Sequence, residues 1–191
     1  MVIPFFIRVY KFNKMSSSTL SLSRYDNTPR FRLDDTCPCK ILDCYDGDTV
    51  TVAVIVHGHL AKFTVRLIGI DTPERRPKKR GCPELASLEK QAALRVRARL
   101  LHLLLPEECP IELRGMKKRK EVRRTCGESR RVVYLVFKDF DKYGRVLGSL
   151  RVTEDGPTVN EVLVQEGWAR PYDGGARLPW TRTELERMIN Q

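Results

Sequence analysis

Asp46-Gly47-Asp48-Thr49-Val50 opens, and Val65-Arg66-Leu67-Ile68-Gly69-Ile70-Asp71-Thr72-Pro73-Glu74 closes, a segment made of two strand-like runs. Between those ends, alternating and β-branched residues are broken at His57-Gly58-His59, the composition of a turn joining antiparallel strands. The two ends of such a hairpin lie side by side, so Asp48 approaches Asp71 across 23 positions of sequence. Two carboxylates at one spot repel, and a fold rarely tolerates the pair without a cation between them. Arg66 and Glu74 add a guanidinium and a further carboxylate at the same edge.

Outward from this hairpin, a chain of 191 residues with 41% hydrophobic content suits one domain with a tail. Its net charge of +11 is unevenly placed. Residues 75 to 80 hold five basic side chains and no acid, and residues 114 to 131 hold nine against Glu121 and Glu128. The rest of the chain is therefore close to neutral. Two basic runs near the same hairpin point to a polyanion, with nucleic acid as the best fit, because phosphate contacts release counterions. A solvated face is the plainer reading of either run. An anionic membrane fits less well, since the basic residues read as loops and not as an amphipathic helix. The six cysteines match neither a zinc spacing nor a disulfide framework, so free thiols and a reducing compartment are expected, with Cys44 buried in a strand.

Residues 1 to 36 read as a poorly ordered arm, and residues 37 to 191 as the folded domain. The apolar opening from Met1 to Ile7 is interrupted by Arg8 and Lys11, too short to span a bilayer and a poor secretory signal. An organelle transit peptide is the rival to a plain tail, and Met15 is an alternative start. Ile41 to Tyr45, Thr49 to Val56 and Leu60 to Ile70 read as a three-stranded meander. Pro83 opens a helix whose stripe is Leu85, Leu88, Ala92, Val96, Leu100 and Leu103, with Arg95, Arg97, Arg99 and His102 complementing its far end before Pro106. Ile111-Glu112-Leu113 is a short strand candidate, followed by a basic loop over residues 114 to 131. Strands from Val132 to Phe137 and from Val146 to Val152 flank a turn at Asp141 to Gly144. Capping boxes at Thr158/Glu161 and Thr181/Glu184 open two more helices, the first closed by Gly167.

Phosphodiesters resist hydrolysis because their charge repels hydroxide and the alkoxide leaves poorly. A catalyst needs a hard cation, planar cationic donors for the transition state, and a group that positions and deprotonates water. Carboxylates and carbonyls suit calcium or magnesium, arginine suits the phosphate, and Glu74 suits the water. These requirements give a metal-dependent phosphodiester-cleaving site as the expectation.

The residues, in this order, resemble the staphylococcal nuclease (thermonuclease) family. The resemblance covers roughly residues 40 to 172 and rests on Asp46 to Val50, on Arg66-Leu67 through Asp71-Thr72-Pro73-Glu74, on Asp141-Lys142-Tyr143-Gly144-Arg145, and on Val159-Asn160-Glu161 before Gly167. It implies an α+β fold, a five-stranded OB-type β-barrel with three helices. It also implies a calcium ion, and cleavage of DNA and RNA, single strands preferred, to 5′-hydroxyl and 3′-phosphate ends by a monomer. By motif position, Asp48, Asp71 and the Thr72 carbonyl would ligate calcium, and Glu74 would act on the attacking water as base or orienter. Arg66 and Arg145 would clamp the phosphate, and Tyr143 would lie near the bound nucleotide. The chain departs from the family pattern in its long basic stretch before Asp141, in tyrosines that are not clearly matched, Tyr172 being shifted by one, and in a short last helix.

For any single acid, turn and capping chemistry is a sufficient explanation. It does not account for five such side chains at five family positions. The main rival is a non-catalytic binding module, because the same barrel binds nucleic acid or protein partners without cleaving anything.

Overall fold

In the computed structural model of this 191-residue chain, the described residues are 21–26, 28, 30–77, 82–109 and 118–191. The chain divides into a unit Met1–Arg32, of which few residues are described, and a compact unit Leu33–Gln191. Among the described residues no helix is long and apolar enough to cross a membrane. The arm expected over residues 1 to 36 falls largely outside the described residues, and Thr36 already belongs to a strand.

The elements of the larger unit are, in order, β1 (Thr36–Cys44), β2 (Thr49–Val56), β3 (His59–Leu67), β4 (Ile70–Asp71), α1 (Pro83–Leu104), α2 (Arg119–Glu128), β5 (Val133–Phe140), β6 (Val146–Arg151), α3 (Val159–Gln165), β7 (Arg170–Pro171) and α4 (Arg182–Asn190). Five strands close into a barrel in the order β1-β2-β3-β6-β5. The β3–β6 pair is parallel and the rest are antiparallel. This is the expected OB-type α+β architecture.

Alternation explains the barrel. Along β2 and β6 every second residue is buried, so one face of each strand fills the interior while the other stays partly wet. The β2–β3 hairpin turns on two residues, His57 at φ 49° and Gly58 at φ 79°, both left-handed as a type I′ turn requires. Pro83 sits at the start of α1, whose Ala92, Val96, Leu100 and Leu104 are fully buried. Both expected capping boxes are present, at Thr158/Glu161 and Thr181/Glu184, and Gly167 leaves α3 at φ 76°.

Two expectations change. A fourth helix, α2, occupies much of the stretch read as a basic loop. Its Val122 and Cys126, four residues apart, are buried, and its lysines and arginines take the remaining sides. Arg97 does not lie on the solvent side of α1 but is 1% exposed, close enough to Cys44, Asp43 and Asp46 to feel their charge. The strand candidate Ile111-Glu112-Leu113 lies outside the described residues.

The C-terminal segment is tied down by Arg170. Its guanidinium sits 3.7 Å over Trp180, and its Nε and NH2 donate to Glu184 at 3.0 and 2.5 Å. Burial works against the Glu184 charge, but the bonds from Arg170 and Thr181 outweigh it and pull the pKa down to about 2. The stability this carboxylate contributes is therefore present above the ordinary glutamate value of 4.5 and is lost as pH falls toward 2. Glu184→Gln is expected to lose about 1 to 2 kcal/mol at neutral pH, a charge-assisted bond's worth. Denaturant titrations at several pH values should find the gap to wild type closing across that acid window.

Candidate active site

The β2–β3 register sets Thr49 opposite Arg66, and the Leu67 amide donates to the Asp48 carbonyl at 2.8 Å. The turn before Asp48 is held by the Asp46 carboxylate, which accepts from the Asp48 amide at 3.3 Å. Gly47 is required by contact: a Cβ there would lie 2.4 Å from Val96 Cγ1 on α1 and 3.0 Å from Thr72. The absence of a side chain lets the turn seat directly on the helix and on Thr72. Asp48, 5% exposed, then accepts from Thr49 Oγ1 at 2.9 Å and from Thr72 Oγ1 at 2.8 Å, and pairs with Arg66 NH1.

Asp71 arrives by a different route. Gly69 turns the chain at φ 75°, and β4 then pairs with β7, setting Asp71 opposite Arg170. The Tyr172 amide donates to the Gly69 carbonyl at 2.9 Å, and Asn160 Nδ2 on α3 donates to the Ile68 carbonyl at 2.7 Å. Residues nearly a hundred positions downstream thus seat this carboxylate. Asp71 is also 5% exposed. Among the described residues no hydrogen bond of good geometry reaches its Oδ1, which instead has ion-pair contacts with Arg177 Nε at 3.2 Å and Arg66 NH2 at 4.0 Å.

Arg177, on the loop between β7 and α4, is a site residue that sequence reasoning missed. It contacts Asp71, pairs through NH1 with Glu74, and lies 5.8 Å from the Tyr172 ring centre. A lone arginine in Gly174-Gly175-Ala176-Arg177-Leu178-Pro179 carries no periodic or motif signal. The β4–β7 pairing and the bonds from Arg170 to the Leu178 and Pro179 carbonyls bring that loop to the acids. Beside it, a cleft of about 610 Å³ is lined by Asp71, Thr72, Glu74, Leu85, Arg177 and Trp180, among others.

The remaining predicted residues lie at the rim. Glu74 has a side chain 45% exposed, and its amide donates to Glu89 Oε1 at 3.1 Å. Arg145 is held by Asp141, which accepts from its Nε at 2.6 Å and from its amide at 2.8 Å. It is near enough to depress the Arg66 pKa. Tyr143 is 73% exposed, with Arg145 and Lys142 at 5.6 and 5.2 Å from its ring. So Asp48, Asp71, Thr72, Arg66 and Glu74 form one cluster, with Arg145 and Tyr143 at its edge.

Burial dominates the electrostatics. It lowers Arg66 to about 10, aided by the like charge of Arg177, and raises Asp71 against the pull of both arginines. It lifts Asp46 to about 6, with Glu74 adding repulsion. On Arg177 burial opposes the charge, but Asp71 and Glu74 outweigh it and the pKa rises. The donors brought together here are hard oxygens, the Asp48 and Asp71 carboxylates, the second with a buried oxygen lacking a hydrogen bond. Such donors fit calcium and not zinc. Among the described residues no group of three or more His, Cys, Asp or Glu is gathered for a metal. Two carboxylates and a carbonyl would leave much of a shell of about 6 to 8 oxygens to water and substrate.

Arg66 is the counter-charge of two buried acids, so its removal is expected to destabilise the fold more than removal of the half-exposed Arg145. Arg66→Ala should cost about 3 kcal/mol and Arg145→Ala under about 1 kcal/mol, read as urea midpoints in chelator. Equal losses would mean that Arg66 is not the electrostatic centre of this cluster.

No curated protein matches the chain. The model of the family described as staphylococcal nuclease homologue matches residues 64–188, which include Arg66, Asp71, Thr72, Glu74, Tyr143 and Arg145 but not the turn carrying Asp48. The matched region spans most of the chain, and it contains β6, which pairs in parallel with β3, and β7, which seats Asp71. The chain belongs to the staphylococcal nuclease homologues.

Proposed function

We propose that this protein is a calcium-dependent nuclease that hydrolyses phosphodiester bonds of DNA and RNA, single strands preferred, leaving 3′-phosphate and 5′-hydroxyl ends. The observation that carries this reading is the crowding of buried acid in one place: Asp48 and Asp71, each 5% exposed, meet around Arg66, with Asp46 and Glu74 close by. Among the described residues Arg66 and Arg177 make the ion pairs to Asp48, Asp71 and Glu74, while Arg145 is paired with Asp141. Negative charge so concentrated repels a phosphodiester, and a divalent cation offsets it.

Asp48, Asp71 and the Thr72 carbonyl would hold calcium, which when bound acts as a Lewis acid on the phosphoryl oxygens. Thr49 and Thr72 fix the Asp48 carboxylate through their hydroxyls, so its oxygens are oriented before any ligand arrives. Arg66 is poised between the acids, with NH2 also donating to the Ile70 carbonyl at 3.2 Å, and offers a planar fork to phosphate oxygens. Arg145 approaches from the rim. Glu74, the most exposed carboxylate of the cluster, positions the attacking water and receives its proton directly or through solvent. For that step Arg177 must release Glu74, and its freed guanidinium then faces the same phosphate. Tyr143 offers an exposed ring to a neighbouring base. The alternative is a module that binds nucleic acid without cutting it, which the same barrel supports.

Purified protein is expected to degrade single-stranded DNA in calcium and to stop on chelation. Glu74→Gln should lose about a hundredfold or more in kcat while melting at an unchanged temperature. Binding without cleavage in calcium would establish the binding module instead, and equal cleavage by wild type and Glu74→Gln would remove Glu74 from the mechanism.

A further inference from the structure

The basic helix α2 is docked against β1 by a buried acid. A β-bulge between Ile41 and Asp43 allows Asp43 and Cys44 both to be buried although they are adjacent. Asp43 Oδ2 accepts from Arg119 Nε at 2.7 Å and from Arg123 Nε at 2.8 Å, both on α2. At the other end Lys40 Nζ donates to the Gly127 carbonyl at 2.9 Å. Val122 and Cys126 fill the interface. The helix is thus fixed to the barrel, and two guanidiniums share a single carboxylate. Between residues 118 and 131 there are seven basic side chains against Glu121 and Glu128, and Lys118, Lys120, Arg123 and Arg124 are exposed.

This surface is joined to the catalytic edge through Tyr45. Arg119 lies 5.1 Å from the centre of the Tyr45 ring, and Arg75 lies 4.9 Å from it while donating to the Tyr45 carbonyl at 3.0 Å. Arg75 follows Glu74 directly, and Tyr45 precedes the turn that carries Asp48. Both basic runs of the sequence therefore meet at one aromatic ring beside the site. A membrane would need an apolar face on α2, and its apolar residues point into the barrel. A basic surface continuous with an aromatic ring is the chemistry that tracks a single-stranded backbone.

We propose that the exposed face of α2, linked to the catalytic edge by Arg75, Tyr45 and Arg119, is a second phosphate-binding surface that holds single-stranded nucleic acid several nucleotides from the bond being cut. The words "being cut" rest on the nuclease reading; the surface itself does not.

The test compares the full-length wild type with the Lys118→Ala/Lys120→Ala/Arg124→Ala variant in chelator, following fluorescence anisotropy of a labelled ~20-nucleotide DNA strand from about 50 to 300 mM salt. Three lost phosphate contacts should flatten the plot of log affinity against log salt by about 2, at roughly 0.7 per contact. A dinucleotide should be bound equally by both proteins, and their melting temperatures should agree. An unchanged slope for the long strand makes α2 a solvated face and overturns the proposal. Cleavage of the same strand by wild type in calcium is scored separately. Cleavage with equal slopes keeps the nuclease and removes the surface, whereas a flattened slope without cleavage keeps the surface and removes the nuclease.

Discussion

Arg66 held between two buried carboxylates is the constraint on which this molecule turns. Asp48 and Asp71 come from opposite sides of the β2–β3 hairpin, each 5% exposed, and neither has enough solvent to disperse its charge. Taking an ionised carboxylate from water costs several kcal/mol even in a relaxed protein, so two together are tolerable only with positive charge fixed among them. Arg66 itself is 7% exposed and is held closer to neutrality by the same burial. The cluster is thus mutually dependent: each member is desolvated, and each is tolerated because of the others.

That dependence explains why so much of the chain is devoted to placing two acids. The β2–β3 register delivers Arg66 and Asp48, Gly47 lets their turn press on α1, and β7 with Asn160 delivers Asp71. The last set lies beyond residue 158. A chain lacking its C-terminal part would still carry the hairpin but would lose the pairing that seats Asp71. Coupling a charged cluster to the β4–β7 pair and to α3 in this way gives a site that exists only in the finished fold.

The barrel was legible because burial alternates residue by residue. The turn at His57-Gly58-His59, which the structure narrows to His57-Gly58, the helix from Pro83 and both capping boxes are likewise local and follow from short-range chemistry. Asp48 and Arg66 meeting was legible because a hairpin converts distance along the chain into proximity. Arg177 was not, because its approach to Asp71 depends on a two-residue strand pair too short to leave a periodic trace. Helix α2 was hidden by its own charge: with Val122 and Cys126 as its buried pair, it has the composition of a loop. Arg97 misled for the converse reason. At the C-terminal half of α1 an arginine is normally a solvated partner of the helix dipole, whereas Cys44, Asp43 and Asp46, at and just past the end of β1, oppose the cost of burying Arg97.

On the proposed function, the distribution of charge separates two tasks, capturing a strand and cutting it. The inner cluster sets Arg66 and Arg177 among its acids. Further positive charge lies outside it, on Arg75 and along α2. A protein that only bound nucleic acid would gain by turning its cations toward the groove and would have no use for four acids there. A protein that only cut would have no use for a basic helix anchored on a buried aspartate. A negative centre within a positive surround suits an enzyme that captures a strand by its backbone and reserves its acids for a cation, and affinity and chemistry are then carried by different residues.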